Sequence, residues 1–169
     1  MNKNFKEAFE KTRAAGIIAA GALDQVSKIA KPGVKTDDID KLCYEYINDH
    51  GAHSAPLFYR GFPKSCCTST NHVVCHGVPS DKILREGDIV NVDVTALKDG
   101  WHGDTSRTYE IGEVSVKAKK LVKITYESMM KAIKIVKDGI FLGDIGETIQ
   151  KHVESNGFSV VQDFCGHGI

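Results

Sequence analysis

The sequence predicts an α+β protein built from a duplicated unit, and three observations support that class. Residues 4 to 30 repeat apolar side chains at steps of three and four, the period of an amphipathic helix. Residues 88 to 109 instead alternate apolar and polar side chains around Asp99-Gly100, which is typical of a β-hairpin. A shift of 106 residues then aligns two helix–turn–helix segments with each other. Helices and antiparallel strands that are grouped rather than alternated indicate the α+β class.

The first two predicted helices have recognisable start and stop signals. The first helix ends at Pro32-Gly33, a pair that stops helices. Its apolar stripe consists of Ala14, Ala15, Ile18, Ala22, Val26 and Ile29. Thr36 is the expected N-cap of the second helix, and Asp37 and Asp38 follow in the first turn, where the helix dipole favours anions. Gly51 suits the position just after the C-terminus of that helix.

The remaining elements follow in order along the chain. Residues 52 to 87 contain aromatic side chains among Pro and Gly, which predicts loops with short strands. After the hairpin, helical periodicity covers about 116 to 137 and 144 to 156. Residues 158 to 164 have the composition of a strand.

The internal repeat indicates how these elements are organised. Lys28–Gly33 aligns with Lys134–Gly139, and Gly51 aligns with Gly157. Seven residues are identical between 28 and 51 and their counterparts, whereas chance gives about one or two. Two generic helix–turn–helix segments could look alike, but the turn and the helix phase both agree. We therefore expect two lobes related by a pseudo-twofold axis, with a cleft between them.

The repeat also predicts the domain organisation. The chain is expected to be a single domain over 1–169, with a first lobe at about 1–110 and a partial second lobe at about 111–169. The second copy ends at Ile169, which corresponds to Pro63 of the first copy. A counterpart of the hairpin would therefore fall near 194 to 215. We expect the chain to be a fragment whose second lobe is incomplete.

Composition excludes several classes of partner. The 169 residues contain 22 basic and 22 acidic side chains, so the net charge is zero. We therefore expect no binding to nucleic acid. No apolar run approaches the roughly 20 residues that cross a bilayer, and no signal peptide is recognisable, so no membrane association is expected. Five cysteines, two of them adjacent, are an odd number that favours free thiols and a cytoplasmic location.

The hairpin carries a pair of carboxylates that can bind metal. If Asp99-Gly100 is a two-residue loop, the numbers of facing residues sum to 199. Four polar side chains then share one face of the hairpin: Asp93, Thr95, Asp104 and Ser106. Two carboxylates that are close together on one face repel each other unless a cation lies between them. Oxygen ligands of this kind suit Mn, Mg, Co, Fe or Zn. The alternative is that Asp93 and Asp104 cap turns or face solvent.

Histidines next to glycine are further candidates for the site. His167 lies between two glycines and is a candidate third metal ligand, and His76 precedes Gly77 at the end of an apolar run. Either could also be an ordinary structural histidine. A different metal site could be drawn from Cys67, His72, Cys75 and His76, but their spacing fits no zinc-finger pattern.

Five segments together resemble type I methionine aminopeptidase. They are Phe62-Pro-Lys-Ser-Cys-Cys67, Asn71-His-Val-Val-Cys-His-Gly-Val-Pro79, Gly87-Asp-Ile-Val-Asn-Val-Asp-Val-Thr95, Gly100-Trp-His-Gly-Asp-Thr-Ser106 and Cys165-Gly-His-Gly-Ile169. The resemblance runs through essentially the whole chain in unbroken order. It is closer than the resemblance to prolidases and proline aminopeptidases, which share the fold.

This resemblance implies the pita-bread fold and the removal of the initiator methionine from nascent proteins by two divalent metal ions (Co, Mn, Fe, Zn or Ni). It implies that Asp93, Asp104 and His167 are metal ligands and that Asp104 bridges the two ions. It also implies that His76 is a catalytic residue that contacts the substrate near the scissile amide. Four further residues fall where the family lines its methionine pocket: Pro56, Tyr59, Phe62 and Cys67.

The resemblance has further implications for partners and for activity. It implies a monomer that acts on the N-terminal Met of nascent polypeptides, with a transient contact with the ribosome. The two metal-binding glutamates of the family and a second histidine lie beyond Ile169, so we expect little activity from the 169 residues alone. The alternatives are a non-catalytic peptide- or ribosome-binding protein on the same fold and a proline-specific aminopeptidase.

Overall fold

A computed structural model describes residues 3–168, which form two compact units, 3–114 and 115–168. The first unit combines two helices with a four-stranded antiparallel sheet, and the second unit contains two helices. The α+β class predicted from the sequence is therefore confirmed. Across the described residues, no helix combines the length and apolar character needed to cross a membrane.

Helices α1 (Lys3–Ile29) and α2 (Thr36–Asp49) begin the first unit. The predicted N-cap of α2 is wrong by one residue, because Lys35 is the N-cap and Thr36 is the first helical residue. The Thr36 hydroxyl is engaged elsewhere: it donates to the Ser80 carbonyl (3.0 Å) and accepts from the Ser80 N–H (2.9 Å). Asp38 closes the helix start instead by accepting the Lys35 N–H at 3.1 Å. Thr36 thus joins α2 to a distant loop.

Strand β3 (Ile89–Lys98) is the centre of the sheet. Strand β4 (Trp101–Glu110) pairs along one edge of β3 over its whole length. Two short strands, β1 (His53–Ser54) and β2 (Cys67–Thr70), pair one after the other along the opposite edge. Asp99 and Gly100 both have positive φ (50° and 83°), the conformation of a two-residue hairpin turn. The predicted hairpin and the predicted short strands are thus present.

The core of the first unit lies between the inner face of the sheet and the two helices. Val90, Val92 and Val94 point inward from β3 and are fully buried with Leu23 of α1 and Ile39 of α2. Alternate β3 residues therefore face away from this core, and Asp93 and Thr95 are among them.

A close approach of two backbones fixes α1 on β4. A Cβ atom added to Gly103 would overlap backbone atoms of Ala15 and Gly16. Only glycine allows the helix to lie so near the strand. Because Gly103 directly precedes Asp104, the packing of α1 helps to set the position of that carboxylate.

The second unit consists of α3 (Val116–Ile135) and α4 (Leu142–Ser155). These bounds agree with the predicted helices to within about two residues. The predicted strand at 158–164 is wrong: these residues have no regular secondary structure, and Val160, Val161 and Phe164 are exposed. A strand needs a hydrogen-bonded neighbour, and the sheet described above lies wholly in the first unit.

The two copies of the sequence repeat have the same local geometry. Asp38 accepts the N–H of Lys35 at the start of α2, and Asp144 accepts the N–H of Phe141 at the start of α4 (2.9 Å). The paired glycines of the repeat also match, since each has a positive φ. These are Gly33 and Gly139 before the helices, and Gly51 and Gly157 after them. The identical aspartates and glycines of the repeat therefore occupy equivalent turns and helix ends.

Candidate functional site

The outer face of the hairpin carries the two predicted carboxylates. Asp93 pairs with Ser106, and Thr95 pairs with Asp104, as the register predicted from the turn requires. Asp93 and Asp104 are therefore diagonal neighbours, a position in which Cα atoms are about 7–8 Å apart. Both side chains belong to partly buried residues on one face of the sheet.

The oxygens of this face suit a divalent cation. The Thr95 hydroxyl donates a hydrogen bond to Asp104 Oδ1 at 2.9 Å, which fixes the orientation of that carboxylate. Asn91, one pair further along, donates to the Ser106 and Thr108 hydroxyls (3.4 and 3.2 Å) and continues the polar face. Carboxylate oxygens held in this way are ligands for Mn, Co, Fe or Zn. The donor set therefore fits metal binding.

Cys67 lies next to these carboxylates, on the other side of β3. Its Cα pairs with that of Asp93, and the two side chains share the outer face. Burial, followed by the electrostatic influence of Asp93, Cys75 and Asp104, raises the pKa of the Cys67 thiol to about 12. The thiol is thus neutral at neutral pH and offers a small apolar, polarisable surface beside the carboxylates.

A loop brings His76 to the same edge of the sheet. The Thr68 N–H donates to the Gly77 carbonyl (2.8 Å), and the Gly77 N–H donates to the Ser69 hydroxyl (3.2 Å). A Cβ on Gly77 would overlap the Thr68 backbone, so only glycine allows this contact. His76 is exposed and has a positive φ of 53°, a strained conformation of the kind found at functional sites.

The other predicted pocket residues lie in one tightly turned loop. The Tyr59 N–H donates to the Pro56 carbonyl, and the Phe62 N–H donates to the Tyr59 carbonyl, both at 3.0 Å. The three residues are therefore linked by consecutive turns. Phe58 and Arg60 within this loop have left-handed backbone conformations (φ 67° and 48°). Pro56 and Phe62 are partly buried, whereas Tyr59 is 64% exposed.

His167 belongs to the second unit, in the irregular segment that follows α4. Its residue is exposed, and its Nδ1 lies 3.0 Å from the Gly168 carbonyl oxygen. Within residues 3–168, no group of three or more His, Cys, Asp or Glu side chains is arranged to hold a metal ion. The structure thus brings Asp93 and Asp104 to one face, and the role of His167 stays a prediction.

Two supports of this site escaped the sequence analysis. Asp40 of α2 binds the backbone just before β2, and Gly77, the residue after His76, packs its own backbone against that strand. Both contacts join residues that are at least eight positions apart in the sequence, so no local pattern marks them. The only signal for Gly77 is the glycine itself, directly after a histidine.

Comparisons with known proteins identify the class. Residues 10–169 match the model of metallopeptidase family M24, so the chain belongs to that family. It is similar to the methionine aminopeptidases of Rickettsia prowazekii (55% identity over 95% of this chain) and Escherichia coli K12 (52% identity over 96% of this chain). In both cases the chain spans only 62% of the relative's length.

Solved structures agree with this assignment. The structure of methionine aminopeptidase from Rickettsia prowazekii superposes with a TM-score of 0.95 at 54% identity, covering 97% of this chain and 66% of that one. A methionine aminopeptidase from Thermotoga maritima gives 0.95 at 41% identity, covering 96% and 66%. A Xaa-Pro dipeptidase from Bacillus anthracis shares the fold alone, at 22% identity, a TM-score of 0.79 and coverages of 89% and 41%. The predicted pita-bread fold is confirmed.

Proposed function

We propose that these residues belong to a metal-dependent aminopeptidase that removes the initiator methionine from nascent proteins. The observation that carries the proposal is the pair Asp93 and Asp104, fixed on one hairpin face of an M24 chain beside Cys67. Relatives at 50–55% identity bear the name methionine aminopeptidase. A non-catalytic protein on this fold has no need of two neighbouring carboxylates, which repel each other unless a cation is bound.

Asp93, Asp104 and His167 are proposed as the residues that would hold two divalent ions from the set Co, Mn, Fe, Zn or Ni. Bound there, such ions would lower the pKa of a water molecule and polarise the scissile carbonyl. The Thr95 hydroxyl holds Asp104 Oδ1 in position, so that one carboxylate orientation persists. The chain's own contribution is therefore a set of preoriented oxygen ligands.

His76 is proposed as the catalytic residue that donates a hydrogen bond to the substrate near the scissile amide. Its place beside β2, fixed by Gly77 and Ser69, supports this role, because β2 also carries Cys67 opposite Asp93. The proposed methionine pocket consists of Pro56, Tyr59, Phe62 and Cys67. Aromatic rings and a neutral thiol suit a thioether side chain.

The same proposal covers organisation and partners. The two compact units are interpreted as the first lobe and part of the second lobe of one metallopeptidase domain, since the family match runs through both. We propose a cytoplasmic monomer that takes the N-terminal Met of nascent polypeptides and contacts the ribosome transiently. Neither nucleic acid nor a membrane is proposed as a partner, in keeping with a net charge of zero.

The test uses the product of the complete reading frame that contains this sequence. Purified protein is loaded with Mn²⁺, its metal content is measured by mass spectrometry, and release of Met from Met-Ala-Ser is followed. The Asp93→Asn variant is expected to lose Mn²⁺ affinity by at least about tenfold and to lose methionine release with it. Asp99→Asn is the matched control, because it makes the same change in the hairpin turn and is expected to behave as the wild type.

Each other outcome points to a different function. Unchanged Mn²⁺ affinity in Asp93→Asn would contradict the assignment of this carboxylate as a ligand. A wild-type protein that binds peptide but neither binds metal nor releases Met would indicate a non-catalytic binding protein. Cleavage of peptides with proline in the second position, in preference to Met-Ala-Ser, would indicate a proline-specific enzyme.

A further inference from the structure

Asp40 on α2 is bonded to the chain segment that directly precedes β2. Its Oδ1 accepts hydrogen bonds from the Ser65 N–H (2.7 Å), the Ser65 hydroxyl (2.6 Å) and the Cys66 N–H (3.2 Å). The Ser65 hydroxyl is also 3.0 Å from the Asp40 carbonyl oxygen. Ser65 and Cys66 are almost fully buried, at 1% and 0% exposure. A buried backbone segment is thus satisfied by one carboxylate rather than by a strand partner.

The anchored segment lies between two residues of the proposed methionine pocket. Phe62 precedes it by three residues, and Cys67 follows it directly as the first residue of β2, opposite Asp93. Any shift of Ser65 and Cys66 along α2 therefore moves Cys67 relative to the carboxylate face. The position of Asp40 on a rigid helix makes it suited to fix this distance.

We propose, on the basis of the function proposed above, that Asp40 is a positioning residue that sets the side-chain selectivity of the methionine pocket by fixing Ser65 and Cys66. Asp40 affects the substrate only through the positions of Cys67 and Phe62. Its substitution is therefore expected to change side-chain selectivity more than the rate of the chemical step. A pocket wall that is free to shift accepts side chains of other shapes, and the preference for Met over Leu declines.

A neighbouring carboxylate offers a matched control. Asp37, one turn before Asp40 on α2, accepts a hydrogen bond from Lys64 Nζ at 2.6 Å, whereas Asp40 Oδ2 is 3.9 Å from the same nitrogen. That hydrogen bond, opposed in part by burial, raises the pKa of Lys64. Asp37 thus holds a partly exposed side chain, and Asp40 holds the backbone, so the two changes separate charge from anchoring.

The experiment compares Asp40→Leu, Asp40→Asn and Asp37→Asn in the complete reading-frame product. For each variant, kcat and KM are measured with Met-Ala-Ser and Leu-Ala-Ser. Asp40→Leu, which removes every acceptor, is expected to raise KM for the Met peptide and to lower the Met-to-Leu ratio of kcat/KM about tenfold. Asp40→Asn retains a carbonyl acceptor and is expected to restore part of the ratio, and Asp37→Asn is expected to leave it unchanged.

Amide hydrogen exchange on the metal-free form of the complete reading-frame product supplies a readout that needs no activity. The Ser65 and Cys66 amides are expected to exchange faster in Asp40→Leu and not in Asp37→Asn. Equal loss of kcat/KM for both peptides, or unchanged exchange at these amides, would overturn the proposal. A wild type that releases no Met contradicts the proposed function instead, and amide exchange then decides alone whether Asp40 anchors the segment.

Discussion

Asp93 and Asp104 acquire their shared face from the pleat of a single hairpin. The turn at Asp99 and Gly100 sets the register, and a slip of one residue would turn the carboxylates toward the core. Val92 and Val94 prevent that slip, because their burial fixes which face of β3 is inward. The local pattern of one hairpin therefore determines the geometry of the carboxylate pair.

Asp88, the residue before β3, is a carboxylate whose charge contributes to the stability of the fold. It accepts hydrogen bonds from Asn71 Nδ2 (2.8 Å) and the Arg85 N–H (2.9 Å). Burial acts to raise the pKa of Asp88, but these bonds and the charges of Lys82 and Arg85 outweigh it, so the pKa lies below its ordinary value. A lowered folded-state pKa stabilises the fold above pH of about 4, and this contribution is lost as the pH falls further.

Asp88→Asn is therefore expected to lower the free energy of unfolding at pH 7 by about 1 kcal/mol. At pH 3 the difference between variant and wild type is expected to shrink, because the wild-type carboxylate becomes protonated there. Urea titrations followed by circular dichroism at the two pH values measure both quantities. A difference that stays constant between pH 7 and pH 3 would show that the charge of Asp88 is not the cause.

Residues of the site differ in how far the sequence could predict them. Asp93 and Asp104 could be predicted because a two-residue turn and strict alternation define their register. Asp40 and Gly77 could not, because the partners of Asp40 lie 25 and 26 residues away, those of Gly77 lie 8 and 9 residues away, and they meet only in the folded chain. The same applies to Thr36, because its hydroxyl forms a hydrogen bond with Ser80, 44 residues away, rather than with the backbone of its own helix.

At the scale of elements, the repeat places α1 and α3 in equivalent positions with different surroundings. Leu23 of α1 is 1% exposed and packs in the core with the sheet, whereas its counterpart Met129 on α3 is 45% exposed. The other face of α3 is covered, because Ile124, Ser128 and Ala132 are buried. Helix periodicity therefore predicted both helices but not which of their faces would be covered, since that depends on neighbouring elements.

This pair of equivalent residues gives a stability prediction with an internal control. Leu23→Ala is expected to lower the free energy of unfolding by about 2–5 kcal/mol, because it leaves a cavity in a closed core. Met129→Ala is expected to change it by no more than about 0.5 kcal/mol, as for other surface substitutions. Urea titrations of both variants followed by far-ultraviolet circular dichroism make the comparison. Equal losses would mean that the Met129 side chain is covered in solution.

Helix ends and strands differ in how much they depend on distant partners. The starts of α2 and α4 are closed by Asp38 and Asp144, each three residues from its backbone donor, so a local pattern suffices. A strand has no such local closure, because its hydrogen bonds go to another strand. Residues 158–164 have strand-like composition but no strand geometry for this reason. Composition predicts a preference, and the neighbouring strand decides whether it is realised.

At the scale of the whole molecule, opposite charges are balanced. The 22 basic and 22 acidic side chains cancel at pH 7, so the chain has no net charge there. The chain also exposes large apolar side chains, among them Tyr126, Ile133 and Phe141 at 59%, 56% and 79%. With no net charge to keep molecules apart, such surfaces lower the solubility of the chain.

Solubility of the 169-residue chain is therefore expected to be lowest near pH 7 and to rise on either side, because the chain then carries a net charge and like-charged molecules repel each other. Precipitation by polyethylene glycol, measured at pH 5.5, 7.0 and 8.5, gives the relative solubilities. Added sodium chloride should reduce the gain at pH 5.5, because it screens the repulsion. A gain at pH 5.5 that survives high salt would instead point to a change in the apolar surface with pH.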